Sequence, residues 1–212
     1  MRKLLFLLAF AFAAMLQAAD FVTESRWITA SEGDVNAQNT WIAFRKDITL
    51  GSIPMKVEAS IAAASKYWLW INGEMVVFEG QLKRGPTPKD TYYDKVDITP
   101  FLKKGNNEVA VLLWYFGKSG FSHNSSGKSG LLFSAQAIGL YSDSQWMSRI
   151  HPAYGTCGDP KPNGRLSESS IKYDGNKDLG EWQTGDIQSG FAASKEIGKA
   201  GSAPWNALVE RP

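Results

Sequence analysis

The run Val109-Ala-Val-Leu-Leu-Trp-Tyr-Phe116 constrains this chain more than any other stretch. It is apolar on both faces and rich in β-branched and aromatic residues. Such a strand has no side to show to water, so it lies inside a sheet covered above and below. The residues leading into it form one unit with it. Tyr92, Asp94, Val96 and Ile98 alternate with Tyr93, Lys95 and Asp97, the period of a half-buried strand. Thr99 is placed to cap a short helical turn, with Pro100 at the first helical position, where its missing N–H costs nothing. Phe101 and Leu102 aim that turn at a core, and Gly105 supplies a left-handed stop.

Further strand signals flank this unit. Trp41 to Leu50 and Lys56 to Ala62 read as strands. Tyr67-Trp-Leu-Trp-Ile71 and Glu74-Met-Val-Val-Phe78 are joined by Asn72-Gly73, the pair best suited to a two-residue type I′ hairpin turn. Trp68 and Trp70 then share one strand face. Gly80 to Asp90 and the glycine- and serine-rich Gly117 to Gly130 are loops, and the length of the second marks a functional or mobile segment. Ser129 to Leu140 and Trp146 to Ile150 add strands. Asp20 to Asn39 offers little beyond Trp27 and Ile28, and Lys172 to Trp182 and Ser189 to Ala200 read as irregular. With short strands, regular turn signals and no helical stripe, the chain is expected to be an all-β sandwich.

Residues 1–18 read as a signal peptide: Arg2 and Lys3, an apolar run from Leu4 to Leu16, then small residues at Ala18 and Ala19. The run is short for a membrane span. The expected product is exported to a periplasm or beyond, with no membrane attachment after the leader is removed. Arg2 and Lys3 account for the excess of 23 basic over 21 acidic residues, so the remaining chain is neutral. A nucleic-acid partner, which calls for a basic face, is therefore not expected. Cys157 is the one cysteine and forms no internal disulfide; a buried, inert thiol is its ordinary reading.

Apparent catalytic and metal motifs dissolve on inspection. Gly-Lys-Ser occurs at Gly117 and Gly127, yet Leu112 and Ser122 stand where a phosphate loop needs glycine. Asp174, Asn176 and Asp178 alternate like a calcium loop, but the turn glycine falls one place late and Gly185 replaces the bidentate glutamate. His123, His151 and Cys157 lack metal-ligand spacing. Glu58, Glu74, Asp94 and Asp97 sit on strands, where solvated charge is the ordinary role. No catalytic residue, metal or cofactor is assigned. The aromatic residues remain: Trp68, Trp70, Trp114 and Tyr115, with His123 and Asn124 on the long loop, are the carbohydrate-contact candidates. An indole face stacks on the apolar face of a sugar, while the ordinary use of such rings is to fill a core.

Asp97-Ile-Thr99, Leu102, Lys104-Gly-Asn106 and the apolar strand after them resemble galactose-binding-like jelly rolls, and Trp41-x-Ala-Phe-Arg-Lys-x-Ile48 resembles the first long strand of the same domains. Within that group the chain is similar to the amino-terminal accessory domain of α-L-rhamnosidases, glycoside hydrolase family 78. Phe121 to Phe133, His151 to Gly155, and Ser167-Glu-Ser169 with Tyr173-Asp-Gly175 extend the similarity, and Pro204 to Pro212 resembles the linker leaving that domain. The resemblance implies a jelly-roll accessory domain over residues 20–203 and the start of a linker at 204–212. It also implies an inverting parent enzyme whose catalytic carboxylates lie on a separate helical barrel. Partners expected on this basis are that catalytic domain and a rhamnose-containing glycan. The alternatives are a stand-alone carbohydrate-binding module or the sugar-binding domain of another glycosidase, such as a β-galactosidase-type enzyme.

Overall fold

A computed structural model describes residues 21, 23–82, 84–158, 165–186 and 190–212. The leader expected over residues 1–18 lies outside them. In chain order the strands are β1 (Arg26–Thr29), β2 (Thr40–Leu50), β3 (Glu58–Ala63), β4 (Lys66–Ile71), β5 (Glu74–Gly80), β6 (Thr91–Asp97), β7 (Gly105–Tyr115) and β8 (Leu131–Ala135). There follow β9 (Leu140–Tyr141), β10 (Met147–Ile150), β11 (Tyr154–Thr156), β12 (Ile171–Tyr173), β13 (Ala192–Ala193), β14 (Lys195–Lys199) and β15 (Leu208–Glu210). Three short 3₁₀ turns complete the described structure.

The strands build a jelly-roll-type β-sandwich. One sheet, here sheet A, runs β14-β1-β8-β3-β6-β15, with β9 beside β8; sheet B runs β13-β10-β2-β7-β4-β5. The expected two-sided strand is β7, central in sheet B and paired along its whole length with β2, from Thr40 opposite Tyr115 to Leu50 opposite Gly105. Val109, Val111 and Leu113 point into the sandwich with Ile42, Phe44, Leu69 and Ile71; across the gap lie Ile61, Leu131 and Phe133 of sheet A, and Trp146, just before β10, packs against Phe133. Ala110, Leu112, Trp114 and Phe116 point the other way, into a second apolar cluster on the outside of sheet B. The hairpin turn has Asn72 at φ 53° and Gly73 at φ 81°, the left-handed geometry that Asn-Gly supplies. The Asn72 side chain is tied in by donating to the Phe101 carbonyl at 2.8 Å.

Several expectations are revised. Thr99 does not cap its turn: its Oγ1 accepts from the Val57 N–H at 2.7 Å and donates to Asp97 Oδ1 at 2.6 Å, so it ties the turn to the start of β3 instead. Asp94 is not a solvated surface charge. It shares the inward face with Ile61, accepts from Tyr67 Oη at 2.8 Å and pairs with Arg211 Nε at 2.6 Å. The weakly patterned ends of the chain contain β1, β12, β13 and β14, because these short strands are specified by the neighbours they pair with. In the segment 204–212, Leu208–Glu210 form β15, which lies parallel to β6 in sheet A, and Trp205 is fully buried. Cys157 is exposed rather than buried.

Candidate functional site

Three of the six candidate residues, Trp68, Trp70 and Trp114, gather on the outer face of sheet B; Tyr115 points to the other side of β7, and His123 and Asn124 lie on loop 117–130. Trp41 of β2, Trp68 and Trp70 of β4 and Trp114 of β7 stand side by side because the three strands are adjacent and these residues share a parity. Trp41 is the centre of the group. Its ring stacks on Trp114 at 4.5 Å and on Trp68 at 5.4 Å, and on its other side on Tyr154 of β11 at 4.1 Å. The Trp114 indole N–H donates to Asn39 Oδ1 at 2.7 Å.

This face is roofed by the chain itself. The β11–β12 hairpin and the segment through Trp182 lie over it, adding Tyr154, Leu179, Trp182 and Phe191 to the cluster. Arg45 of β2, only 2% exposed, fastens the roof. Its Nη1 donates to the carbonyls of Trp182 at 2.8 Å and Gly185 at 3.0 Å, while Asp47 balances its charge at Nε, 2.6 Å away. Under the roof His151 is buried, with its Nε2 3.7 Å from Asp178. Burial lowers its pKa to about 4, outweighing the carboxylate, so the ring is neutral at ordinary pH. Asp178 also takes the Tyr173 hydroxyl hydrogen bond and pushes that phenol up to about 12.

The structure therefore covers most of the candidate rings. Trp68 is 9% exposed and Trp114 3%, while Tyr115 is turned to the opposite side of β7 and buried against the long loop, with its Oη 3.4 Å from Ser125 Oγ. Trp70 is the half-open member, edge-on to Trp182 at 5.9 Å. His123 is buried against Phe116 and sits 3.4 Å from Ser65 Oγ, and burial lowers its pKa. It plugs loop 117–130 into the end of the sandwich, leaving the neighbouring Asn124 half-buried. The loop also needs Gly117: at φ +71°, a Cβ there would stand 2.7 Å from the Gln38 backbone.

Two carboxylates that the sequence did not mark converge beside this face. Lys66, 5.3 Å above the Trp114 ring, pairs with Glu79 at 3.3 Å and Glu168 at 3.7 Å. A cation held between the two acids suits a tie between β4, β5 and the roof rather than an acid–base pair. Asp174, read as a broken calcium loop, caps its own turn by accepting from the Asn176 N–H at 3.2 Å.

Fold and face together define the class: a jelly-roll β-sandwich whose sheets are clad on the outside by indole-rich segments of the same chain. Within that class, the chain has the fold of a domain of family 78 rhamnosidases. It matches the family 78 rhamnosidase of Bacillus sp. GL1 with a TM-score of 0.75 and 28% identity, over 88% of this chain and 20% of that one. The α-L-rhamnosidase of Dictyoglumus thermophilum matches with a TM-score of 0.64 and 20% identity over 90% and 22% of the two chains. A Pleurotus ostreatus lectin solved with GalNAc shares the fold at a TM-score of 0.50 and 16% identity, over 91% and 48%. This chain thus spans about a fifth of the length of the rhamnosidases it matches. No protein-family model and no curated protein matches it.

Proposed function

We propose that the chain is the non-catalytic, amino-terminal β-sandwich module of an exported α-L-rhamnosidase-like glycoside hydrolase. There it supports the catalytic domain and associates with carbohydrate. The observation that carries this reading is the match at 28% identity across 88% of this chain to only 20% of a family 78 rhamnosidase. The geometry agrees with it. The large aromatic cluster is given over to holding a roof, and the Glu79 and Glu168 carboxylates are bound to Lys66. No residue of the chain is assigned a catalytic role.

Incubation of the purified chain with an aryl α-L-rhamnoside tests the proposal: no turnover is expected, and sustained hydrolysis would overturn it. Sequencing the gene beyond Pro212 supplies the second arm, where a helical catalytic barrel is expected in the same reading frame. A second reading, a stand-alone carbohydrate-binding module, draws on the half-open Trp70 and on Phe78 of the neighbouring strand, 70% exposed and edge-on to Trp68. Saturable binding of oligosaccharides that quenches tryptophan fluorescence and is lost in Trp70→Ala would favour it.

A further inference from the structure

The outer face of sheet A is divided. One row across it, Tyr93 of β6, Ala62 of β3 and Leu132 of β8, is apolar and lies in the cluster that includes Trp27, Trp205 and Leu208. One pleat further along, the row changes character: Lys95 of β6 stands opposite Ser60 of β3, and Ser60 opposite Ser134 of β8. Antiparallel partners share a face, so these three side chains line up on the same outer surface. With Lys56, Glu58 and Gln136 they line a cleft of about 370 Å³, within the roughly 300–1,000 Å³ of small-ligand sites.

Two features mark this cleft as built for a ligand. Its floor is made of serines, the smallest side chains that offer a hydroxyl, on strands whose other outward positions carry apolar or long residues. Moreover, Ser134 is 1% exposed, and its Oγ has no hydrogen-bond partner among the described residues. A buried hydroxyl without a partner is unfavourable for the fold, and alanine in its place would spare that cost. The charges nearby are already balanced: Lys56 pairs with Glu58 at 3.1 Å and Lys95 with Glu210 at 3.2 Å. An anion or cation would have to break one of these pairs. A neutral polyol does not, because each of its hydroxyls both donates and accepts.

We propose that this cleft is a binding subsite for a neutral saccharide. Ser134 and Ser60 take ring hydroxyls at the floor, while Lys56, Glu58 and Gln136 contact the sugar at the rim. The choice of ligand rests on the reading of the chain as a carbohydrate-associated module; the cleft itself does not.

Amide NMR titration of the full, ¹⁵N-labelled chain with L-rhamnose, D-galactose and D-glucose, and separately with inorganic sulfate, tests it. Saturable shifts at Ser60, Ser134 and Gln136 with at least one neutral sugar are expected. Ser134→Ala should weaken them roughly fivefold, the worth of one hydrogen bond. Lys56→Ala and Gln136→Ala, at exposed positions that the fold tolerates, should weaken them as well. Silence at these amides with all three sugars overturns the proposal, and so does a response to sulfate alone or shifts centred on Trp70 and Phe78. Aryl rhamnoside hydrolysis by the same samples would overturn the module reading while leaving the cleft result standing.

Discussion

The two outer faces of this sandwich are finished differently. Sheet B is roofed by a long excursion between β10 and β13, which brings Tyr154 and Trp182 onto Trp41, Trp68 and Trp114 and is fastened through the buried Arg45. On sheet A the apolar row is covered by the segment around Trp205, which stacks on Trp27 at 4.2 Å, and the polar row forms the floor of a cleft rimmed by Lys56, Glu58 and Gln136. Indoles alone therefore do not mark a binding face. In this molecule the aromatic face is the closed one, and the open concavity is lined by serines and ion pairs.

The sharpest test of this contrast is to remove one ring from each cover. Trp205→Ala and Trp41→Ala should each cost about 3–5 kcal/mol in urea unfolding, since both are buried large-to-small changes within a stack. A loss below about 1 kcal/mol for Trp41 would mean that the roof on sheet B is only loosely seated. Next in size, Arg45→Met should cost about 2–3 kcal/mol through its lost charged hydrogen bonds. Hydrogen exchange should then quicken around Trp182 and Gly185.

The roof also predicts a pH dependence. His151 has a folded pKa of about 4 because burial disfavours its charged form, whereas the unfolded chain protonates it near 6.5. Stability from the neutral ring is complete above about pH 6.5 and declines as the pH falls toward 4, by about 2–3 kcal/mol. Unfolding free energies measured across that range should slope downward, and His151→Gln should flatten the slope. The smallest effects belong to the open edge of sheet B. Trp70→Ala should cost about 1 kcal/mol, and Phe78→Ser should stay within about 0.5 kcal/mol.

What the sequence revealed follows from how each element is specified. β2, β6, β7 and the β4–β5 hairpin were legible because alternation or a two-sided apolar run is a local property, and Asn72-Gly73 fixes its turn unaided. That β7 needed cover on both sides was also legible; what provides it was not, since Tyr154 and Trp182 lie far along the chain in segments with no period of their own. β1, β13 and β14 escaped notice for the same reason, each being too short to carry a pattern without its partner. Among the candidates, the shared face of Trp68 and Trp70 followed from their spacing, whereas the closure of that face by His151, Asp178 and Arg45 depends on long-range contacts. Asp94 misled because a carboxylate at a strand position reads as solvated until Tyr67 and Arg211 are seen around it. The serine row of sheet A carried no signal at all: Ser60 and Ser134 are ordinary residues until the register sets them side by side.

The pairing of β1 with β14, and of Trp27 with Trp205, bears on the order of assembly. The first described strand pairs with almost the last one, so sheet A acquires its outer edges only when residues far apart in the chain have come together. Until β14 and Trp205 are in place, Trp27 is an uncovered apolar surface, and a partly folded chain that exposes it is prone to aggregate.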